Sequence, residues 1–232
     1  MASDPAAIGN HHLAVLFDLD GTLVDTAPDM VAVLTHMQTS RGDVAVAYDL
    51  ARSHVSNGAA GLIRLAFPNV DDDEHQSLYD DYLALYAEAV CEQSCLFPDL
   101  ALLLDDLDHG NRPWGVVTNK PRRLTEPLLA KLNLLERAAC AISGDTLPQR
   151  KPDPAPMLLA SRMLDVEPQR VIYVGDAARD IEAGRAAGMT TVAVSYGYIS
   201  ADDDPGRWNA DAIVGDTAEL TRLLRTALKL EA

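Results

Sequence analysis

Short apolar runs recur along the chain, separated by longer stretches in which apolar residues have helical spacing. Strong runs are LAVLFDLD (13–20), WGVVTN (114–119), RVIYVGD (170–176) and TTVAVS (190–195), and CAIS and DAIV are weaker ones. Such runs are typical of buried strands. Strands that alternate with helices indicate a parallel sheet covered on both faces, so the pattern predicts an α/β fold.

One interval breaks this alternation. From about Asp25 to Leu96 there is no convincing strand, and helical spacing continues through residues 27–42, 57–67 and 71–93. We therefore predict a helical domain of residues 25–96, inserted after the first strand of a core domain of residues 1–24 and 97–232. The joints VDTAP and CLFPD are short and could act as hinges. Asp29 is expected to be an ordinary acidic residue in the first turn of a helix.

Composition narrows the class of protein. The chain has 232 residues, of which 48% are hydrophobic, enough for a packed core. Its formal net charge of −16 argues against nucleic acid or an anionic membrane as partner. A sparse set of three cysteines, no leader-like segment and no long apolar run indicate a cytoplasmic protein. Its oligomeric state is left open between monomer and homodimer.

Polar and charged residues stand at the ends of the predicted strands or in the loops that follow. They are Asp18, Asp20, Thr118, Asn119, Lys151, Asp176 and Asp180. Ligands of open parallel sheets bind beyond the carboxyl ends of the strands. We therefore expect these side chains to meet at one edge of the sheet.

The set suits phosphoryl transfer. Asp18 can act as a nucleophile, and Asp18 and Asp176 offer hard oxygen ligands to Mg²⁺. Asp20 can reach the leaving oxygen as general acid and then serve as base toward water. The remaining donors can bind phosphoryl oxygens. Those donors are Thr118, Asn119 and Lys151.

Each residue also has a simpler interpretation when taken alone. Acidic pairs end many strands, and Thr118 could cap the helix that follows it. Lys151 could be a surface charge, and Asp176 with Asp180 could be a helix cap and its dipole partner. Their ordered placement at successive strand ends favours the joint interpretation.

The segments DLDGTLVDT, VVTNK, RKPDP and VGDAARD resemble the four motifs of the haloacid dehalogenase superfamily of phosphatases. The resemblance implies a Rossmann-like core and a helical C1 cap that closes over the site. It implies that Asp18 is the nucleophile and that Asp20 is the acid/base, whose backbone carbonyl also binds Mg²⁺. Asp176 would be a metal ligand and Asp180 a supporting carboxylate.

The same resemblance assigns the remaining motif residues. It makes Thr118 and Lys151 phosphate binders. We expect Gly21 and Thr22 to form the turn after the first motif and to place backbone amides near the phosphate. One departure is Ala177, where many relatives have serine, and we expect it to tune activity without abolishing it.

The segments DGTLVDTAPD, VTNKP and SYGYI resemble bacterial phosphoglycolate phosphatases. WGVVTNKP and YGYISADDDPGRWNAD are also similar to a subgroup that dephosphorylates N-acetylmuramic acid 6-phosphate, which is the alternative. A sugar phosphomutase is disfavoured because DTAPDM lacks histidine, and a dehalogenase is disfavoured by Asp20. The substrate is expected to be a small phosphorylated metabolite. Candidate cap contacts are Asn57, Gly58 and Arg64, and Arg64 either pairs with a substrate carboxylate or is a solvated helix residue.

Overall fold

The computed structural model describes residues 8–9 and 11–230 and contains a six-stranded parallel sheet. The strand order is β5-β4-β1-β6-β7-β8, and every neighbouring pair is parallel. The strands are β1 (Ala14–Phe17), β4 (Trp114–Val117), β5 (Cys140–Ile142), β6 (Val171–Gly175), β7 (Thr190–Val194) and β8 (Ala212–Val214). The predicted α/β fold with a Rossmann-like parallel sheet is confirmed, and all six apolar runs are strands of this sheet.

The sheet buries both faces. Leu16 and Phe17 belong to different apolar clusters because successive side chains of a strand point to opposite faces. Five helices flank the strands of this sheet. They are α5 (Leu100–His109), α6 (Arg122–Lys131), α7 (Ala155–Leu164), α8 (Ala178–Ala186) and α9 (Thr217–Leu228). The strands do not alternate between apolar and polar residues because helices cover both faces of the sheet.

Strand β1 lies between β4 and β6. Val15 is opposite Trp114 on one side and Ile172 on the other. Because these three strands run in the same direction, their carboxyl ends emerge side by side. The loops after β1, β4 and β6 therefore meet at one edge of the sheet.

Four α-helices lie within residues 26–94, which we call the helical insert. The helices are α1 (Ala27–Ser40), α2 (Tyr48–Arg52), α3 (Gly58–Ala66) and α4 (Asp72–Ala89). Two-residue strands, β2 (Val24–Asp25) and β3 (Cys95–Leu96), pair antiparallel at the base of the insert. The sequence pattern missed these strands and α2 because elements this short leave no readable periodicity. Across the described part of the chain, no helix is long and apolar enough to cross a bilayer.

Asp29 has a larger structural role than the sequence suggested. Its side chain is buried and accepts hydrogen bonds from the backbone N–H groups of Glu92, Gln93 and Ser94 at 2.8–3.1 Å. The hydroxyl of Ser94 donates a fourth bond at 2.5 Å. The interpretation as an ordinary first-turn charge is wrong, because this carboxylate ties the start of α1 to the chain that returns to β3.

A second set of hydrogen bonds links the start of the insert to the core. The hydroxyl of Tyr198, in the loop after β7, accepts hydrogen bonds from the backbone N–H groups of Thr26 and Ala27. It donates to Asp25 Oδ1 at 2.6 Å. The start of α1 is therefore held by a side chain from the opposite end of the sequence.

Candidate active site

Asp18 is the first residue after β1 and is buried at the edge of the sheet. Its backbone N–H donates to Val174 O, which continues the hydrogen bonds between β1 and β6. Its Oδ1 accepts the backbone N–H of Leu19 at 2.7 Å and lies 2.8 Å from Lys151 Nζ. These contacts fix the carboxylate at the carboxyl end of the central strand.

Lys151 contacts carboxylates that belong to two different sequence motifs. Its Nζ lies 2.8 Å from Asp18 Oδ1 and 2.7 Å from Asp180 Oδ1. It also donates to the carbonyl oxygen of Val117 and to the hydroxyl of Tyr173. Two carboxylates and two neutral acceptors therefore surround the amino group of a lysine side chain that is only 1% exposed.

Thr118 and Asn119 directly follow β4, and Asn119 contacts the loop that carries Lys151. The side-chain amide of Asn119 donates to Lys151 O at 3.0 Å and accepts from Lys151 N at 3.1 Å. Thr118 is buried, and its hydroxyl oxygen accepts the backbone N–H of Lys120. Asn119 therefore holds the backbone of the lysine loop against the end of β4, and its role toward phosphate stays a prediction.

Asp18, Asp176 and Asp180 form a buried acidic cluster in which one oxygen of each lies within 4.8 Å of the others. Asp176 Oδ2 accepts the hydroxyl of Ser56 at 2.7 Å and the backbone N–H of Tyr198 at 2.9 Å. Asp176 Oδ1 is buried without a hydrogen-bond partner. A buried carboxylate oxygen without a donor, next to a second carboxylate, fits a hard divalent cation.

Burial and crowded charge shift the acidity of this cluster. Burial, followed by the negative charges of Asp18 and Asp180, raises the pKa of Asp176 to about 7. Burial and Asp18 likewise raise the pKa of Asp180, against the opposing effect of Lys151. A bound cation would reverse these shifts by favouring the ionised carboxylates.

The side chain of Asp20 does not join the acidic cluster. Its Oδ1 lies 2.9 Å from Lys120 Nζ and accepts the hydroxyl of Thr26 at 2.7 Å. Burial tends to lower the pKa of Lys120, but the charge of Asp20 and contact with Tyr86 outweigh it, and the pKa is raised. Lys120 was not predicted as a site residue, although its place in VVTNK directly after Asn119 was a usable signal.

Gly21 and Thr22 form the turn after Asp20. Gly21 has φ +81°, and a Cβ at this position would lie 2.1 Å from Asp176 Oδ2. Only glycine fits both this left-handed conformation and the close approach to Asp176. The two amides donate to Val24 O and Leu19 O, so they serve the turn itself and are not free for a phosphate in this conformation.

A cavity of about 290 Å³ lies between the helical insert and the sheet edge. Of the candidate cap contacts, Asn57 and Gly58 line it, whereas Arg64 is an exposed residue of α3 that does not line it. Asn57 precedes α3 without a side-chain capping bond. The insert also supplies aromatic residues and the core supplies cations, none of which the sequence analysis singled out. They are Tyr79, Tyr82 and Tyr86, and Lys120, Arg150 and Arg179.

The insert touches the acidic cluster through Ser56. Besides its bond to Asp176, the residue accepts a hydrogen bond at its backbone oxygen from the guanidinium of Arg179 at 2.7 Å. Ala177, the departure from the usual motif, donates its backbone N–H to Asp180 Oδ2. That bond needs no side chain, so alanine preserves it.

Comparison with known proteins agrees with this geometry. The family model for haloacid dehalogenase-like hydrolases matches residues 15–194. The chain is 44% identical to an N-acetylmuramic acid 6-phosphate phosphatase of Pseudomonas putida, over 93% of this chain and 97% of the relative. It is 41% identical to a phosphoglycolate phosphatase of Xanthomonas campestris pv. campestris, over 89% and 94%.

Solved structures share the fold. The crystal structure described as a predicted phosphoglycolate phosphatase from Haemophilus somnus 129PT superposes with a TM-score of 0.81 at 27% identity. The match covers 92% of this chain and 98% of that chain. The family expected from the four motifs is confirmed: the chain belongs to the haloacid dehalogenase-like hydrolases.

Proposed function

We propose that the protein is a Mg²⁺-dependent phosphomonoesterase that works through an aspartyl-phosphate on Asp18. The observation that carries the proposal is the buried contact of Asp18 with Lys151, beside an acidic cluster whose Asp176 Oδ1 has no donor. Nearby positive charge offsets the repulsion between a nucleophilic carboxylate and an approaching phosphate dianion. Lys151 supplies one such charge, and a metal ion held by Asp18, Asp176 and the backbone carbonyl of Asp20 would supply the other.

The chain's own residues then have the following roles. An oxygen of Asp18 attacks phosphorus, and the bond from phosphorus to the ester oxygen breaks as Asp20 gives that oxygen a proton. Lys151 and Thr118 hold the phosphoryl oxygens during the transfer. Asp20 next takes a proton from water as the water oxygen bonds phosphorus, and the bond to Asp18 breaks, which releases phosphate and restores the carboxylate.

We further propose that residues 25–96 act as the cap of this enzyme and that residues 1–24 and 97–232 form its catalytic core. The contact of Ser56 with Asp176 brings the insert into the site, and Asn57 and Gly58 line the cavity beside it. These positions are suited to contact the part of the substrate that leaves. Arg64 is exposed and does not line the cavity, so this proposal assigns it no role.

For the substrate, we propose a small phosphate ester of the phosphoglycolate type. Relatives named phosphoglycolate phosphatase align over most of the chain. The cavity of this acidic protein is lined by Arg150 and Arg179, which suit a substrate with a second negative group. The three free cysteines support the predicted cytoplasmic location.

N-acetylmuramic acid 6-phosphate is the second candidate, and a specific observation favours it. The cavity of about 290 Å³ is large for phosphoglycolate, and the partly exposed ring of Tyr79 on its lining is suited to pack on a sugar. Relatives with that name are 42–44% identical to this chain. Both candidates carry a carboxylate, so the same cations suit either.

The test is a substrate panel with a nucleophile variant. Initial rates are measured with phosphoglycolate, N-acetylmuramic acid 6-phosphate, glucose phosphates and p-nitrophenyl phosphate, with Mg²⁺ and with a chelator. Ranked kcat/KM values decide between the two esters. Asp18→Asn is expected to lose at least about a thousand-fold in kcat because a carboxamide is a poor nucleophile, whereas Asp202→Asn on the surface should not change it.

Several outcomes would contradict the proposal. Full activity of Asp18→Asn would exclude the aspartyl-phosphate, and activity that ignores the chelator would exclude the metal. Conversion of glucose 1-phosphate to glucose 6-phosphate without release of phosphate would identify a mutase.

A further inference from the structure

Two lysines of the described chain are buried, and each meets a carboxylate of the first motif. Lys151 lies against Asp18, whereas Lys120 lies against Asp20. The proposed chemistry uses Lys151 to hold the phosphoryl group. It gives Lys120 no task, although burial of an ammonium group is costly and is tolerated only where partners are well placed.

The surroundings of Lys120 are specific. Its Nζ is 2.9 Å from Asp20 Oδ1 and 3.1 Å from the hydroxyl of Tyr86, and it lies 4.6 Å from the centre of the Tyr86 ring. Thr26 donates to the same Oδ1 of Asp20. Both donors therefore hold one oxygen of the carboxyl group, and Oδ2 carries neither of these bonds.

The residues that hold this carboxyl group, either directly or, for Tyr86, through Lys120, come from separate parts of the fold. Lys120 is in the core loop after β4, Tyr86 is on α4 of the helical insert, and Thr26 is in the joint between them. The direction of the Asp20 side chain thus depends on the core and on the position of the helical insert. Such placement is expected where a catalytic group must be fixed within a fraction of an ångström.

We propose that Lys120 is a positioning residue for Asp20, and that Tyr86 makes this positioning depend on the helical insert. The inference rests on the proposed function, in which Asp20 gives a proton to the leaving oxygen. Lys120 holds Oδ1, so that Oδ2 is presented to the ester oxygen. The competing interpretation is that Lys120 binds an anionic group of the substrate directly.

Two aryl esters separate these interpretations. Phenyl phosphate and p-nitrophenyl phosphate are similar in size and lack a second charge, but phenolate is much the poorer leaving group and needs the proton more. Lys120→Met should therefore lower kcat/KM for phenyl phosphate about ten-fold more than for p-nitrophenyl phosphate. Tyr86→Phe, which keeps the ring, should show the same preference more weakly, and Lys229→Met at the surface should show none.

A double-mutant cycle supplies the second readout. If Lys120 acts through Asp20, Lys120→Met should cause no further loss of kcat/KM in an Asp20→Asn background. Equal losses for the two esters, or additive losses in the cycle, would overturn the proposal. A rise in KM that persists in the Asp20→Asn background would instead identify Lys120 as a substrate-binding residue.

The proposed function is judged separately in the same experiment. Hydrolysis of both esters by the wild-type protein, and its loss in Asp18→Asn, depends on the nucleophile and not on Lys120. If the wild type releases phosphate from neither aryl ester and from none of the other esters of the substrate panel, the proposed function fails. If it cleaves both and Lys120→Met and Tyr86→Phe show no leaving-group preference, only the positioning role fails.

Discussion

At the scale of single residues, Lys151 is the cation that compensates the buried carboxylates of the site. It is the partner of both Asp18 and Asp180, and all three side chains are almost completely buried. Removing the cation would leave two carboxylates in a medium that solvates them poorly. The lysine is therefore needed for stability as well as for the proposed binding of phosphate.

We predict that Lys151→Met lowers the free energy of unfolding of the metal-free protein by about 3–5 kcal/mol at pH 8. Urea denaturation monitored by circular dichroism measures the change. Lys229→Met, the same replacement at an exposed site, should stay within about 0.5 kcal/mol of wild type. Similar values for the two variants would show that Lys151 does not compensate the buried carboxylates.

The acidity of Asp176 predicts a pH dependence. Its pKa is raised from 3.8 to about 7, mainly by burial and then by Asp18 and Asp180. Between these values the folded protein holds a proton that the unfolded chain has lost. The stability from this group is thus fully present below the unfolded pKa and is lost as pH rises through the folded one.

Asp176→Asn imitates the protonated group and removes this dependence. With chelator present, the variant should gain stability over wild type as pH rises from about 4 to 7, by at most about 1.4 kcal/mol per pH unit, and the difference should level off above pH 7. Urea denaturation at unit steps of pH measures it. A difference that does not change with pH would contradict the assigned acidity of Asp176.

Sequence located the motif residues because each follows a recognisable strand or lies in a predicted loop, and parallel strands bring their carboxyl ends together. The structure indeed places Asp18, Lys151, Asp176 and Asp180 in contact or within one cluster. The sequence could not reveal the contact of Ser56 with Asp176, because 120 positions separate the two residues and no local pattern encodes the path of the insert. Contacts of this kind depend on tertiary packing alone.

Among the elements, the sheet was predictable and the joints of the insert were not. Continuous apolar runs gave all six strands, whereas β2, β3 and α2 are too short to show a period. The exit and return of the chain are fixed by side chains instead. Asp29 binds the returning backbone, and Tyr198 binds the departing one.

Asp29 supplies a prediction at the scale of the element. Asp29→Ala removes the acceptor of three backbone N–H groups and one hydroxyl, so the free energy of unfolding should fall by about 1–3 kcal/mol. Limited proteolysis should cut the segment around residues 90–95 faster. Asp49→Ala, in the exposed first turn of α2, is the matched control and should change neither measurement much. Equal proteolysis of both variants would show that the return segment is held by other contacts.

In the whole molecule, insert and core share one apolar cluster. Leu34, Leu62 and Tyr82 of the insert belong to the same cluster as Phe17 and Val174 of the sheet. Contacts across the joint are therefore part of the core and not a polar interface between separate units. Together with the Ser56–Asp176 bond, this continuity indicates that the two parts unfold together.

The last prediction follows from this continuity. Thermal unfolding in chelator should show one transition, and Mg²⁺ at about a hundred times its dissociation constant should shift that entire transition upward by about 2.7 kcal/mol of stability. Calorimetry provides the curve, and far-UV circular dichroism with tyrosine absorbance checks that secondary and tertiary structure melt together. Asp176→Asn should keep the single transition and lose most of the Mg²⁺ shift, because it lacks the carboxylate charge that the ion would meet. Two transitions, of which Mg²⁺ moves only one, would mean that the insert is an independent folding unit despite the shared cluster.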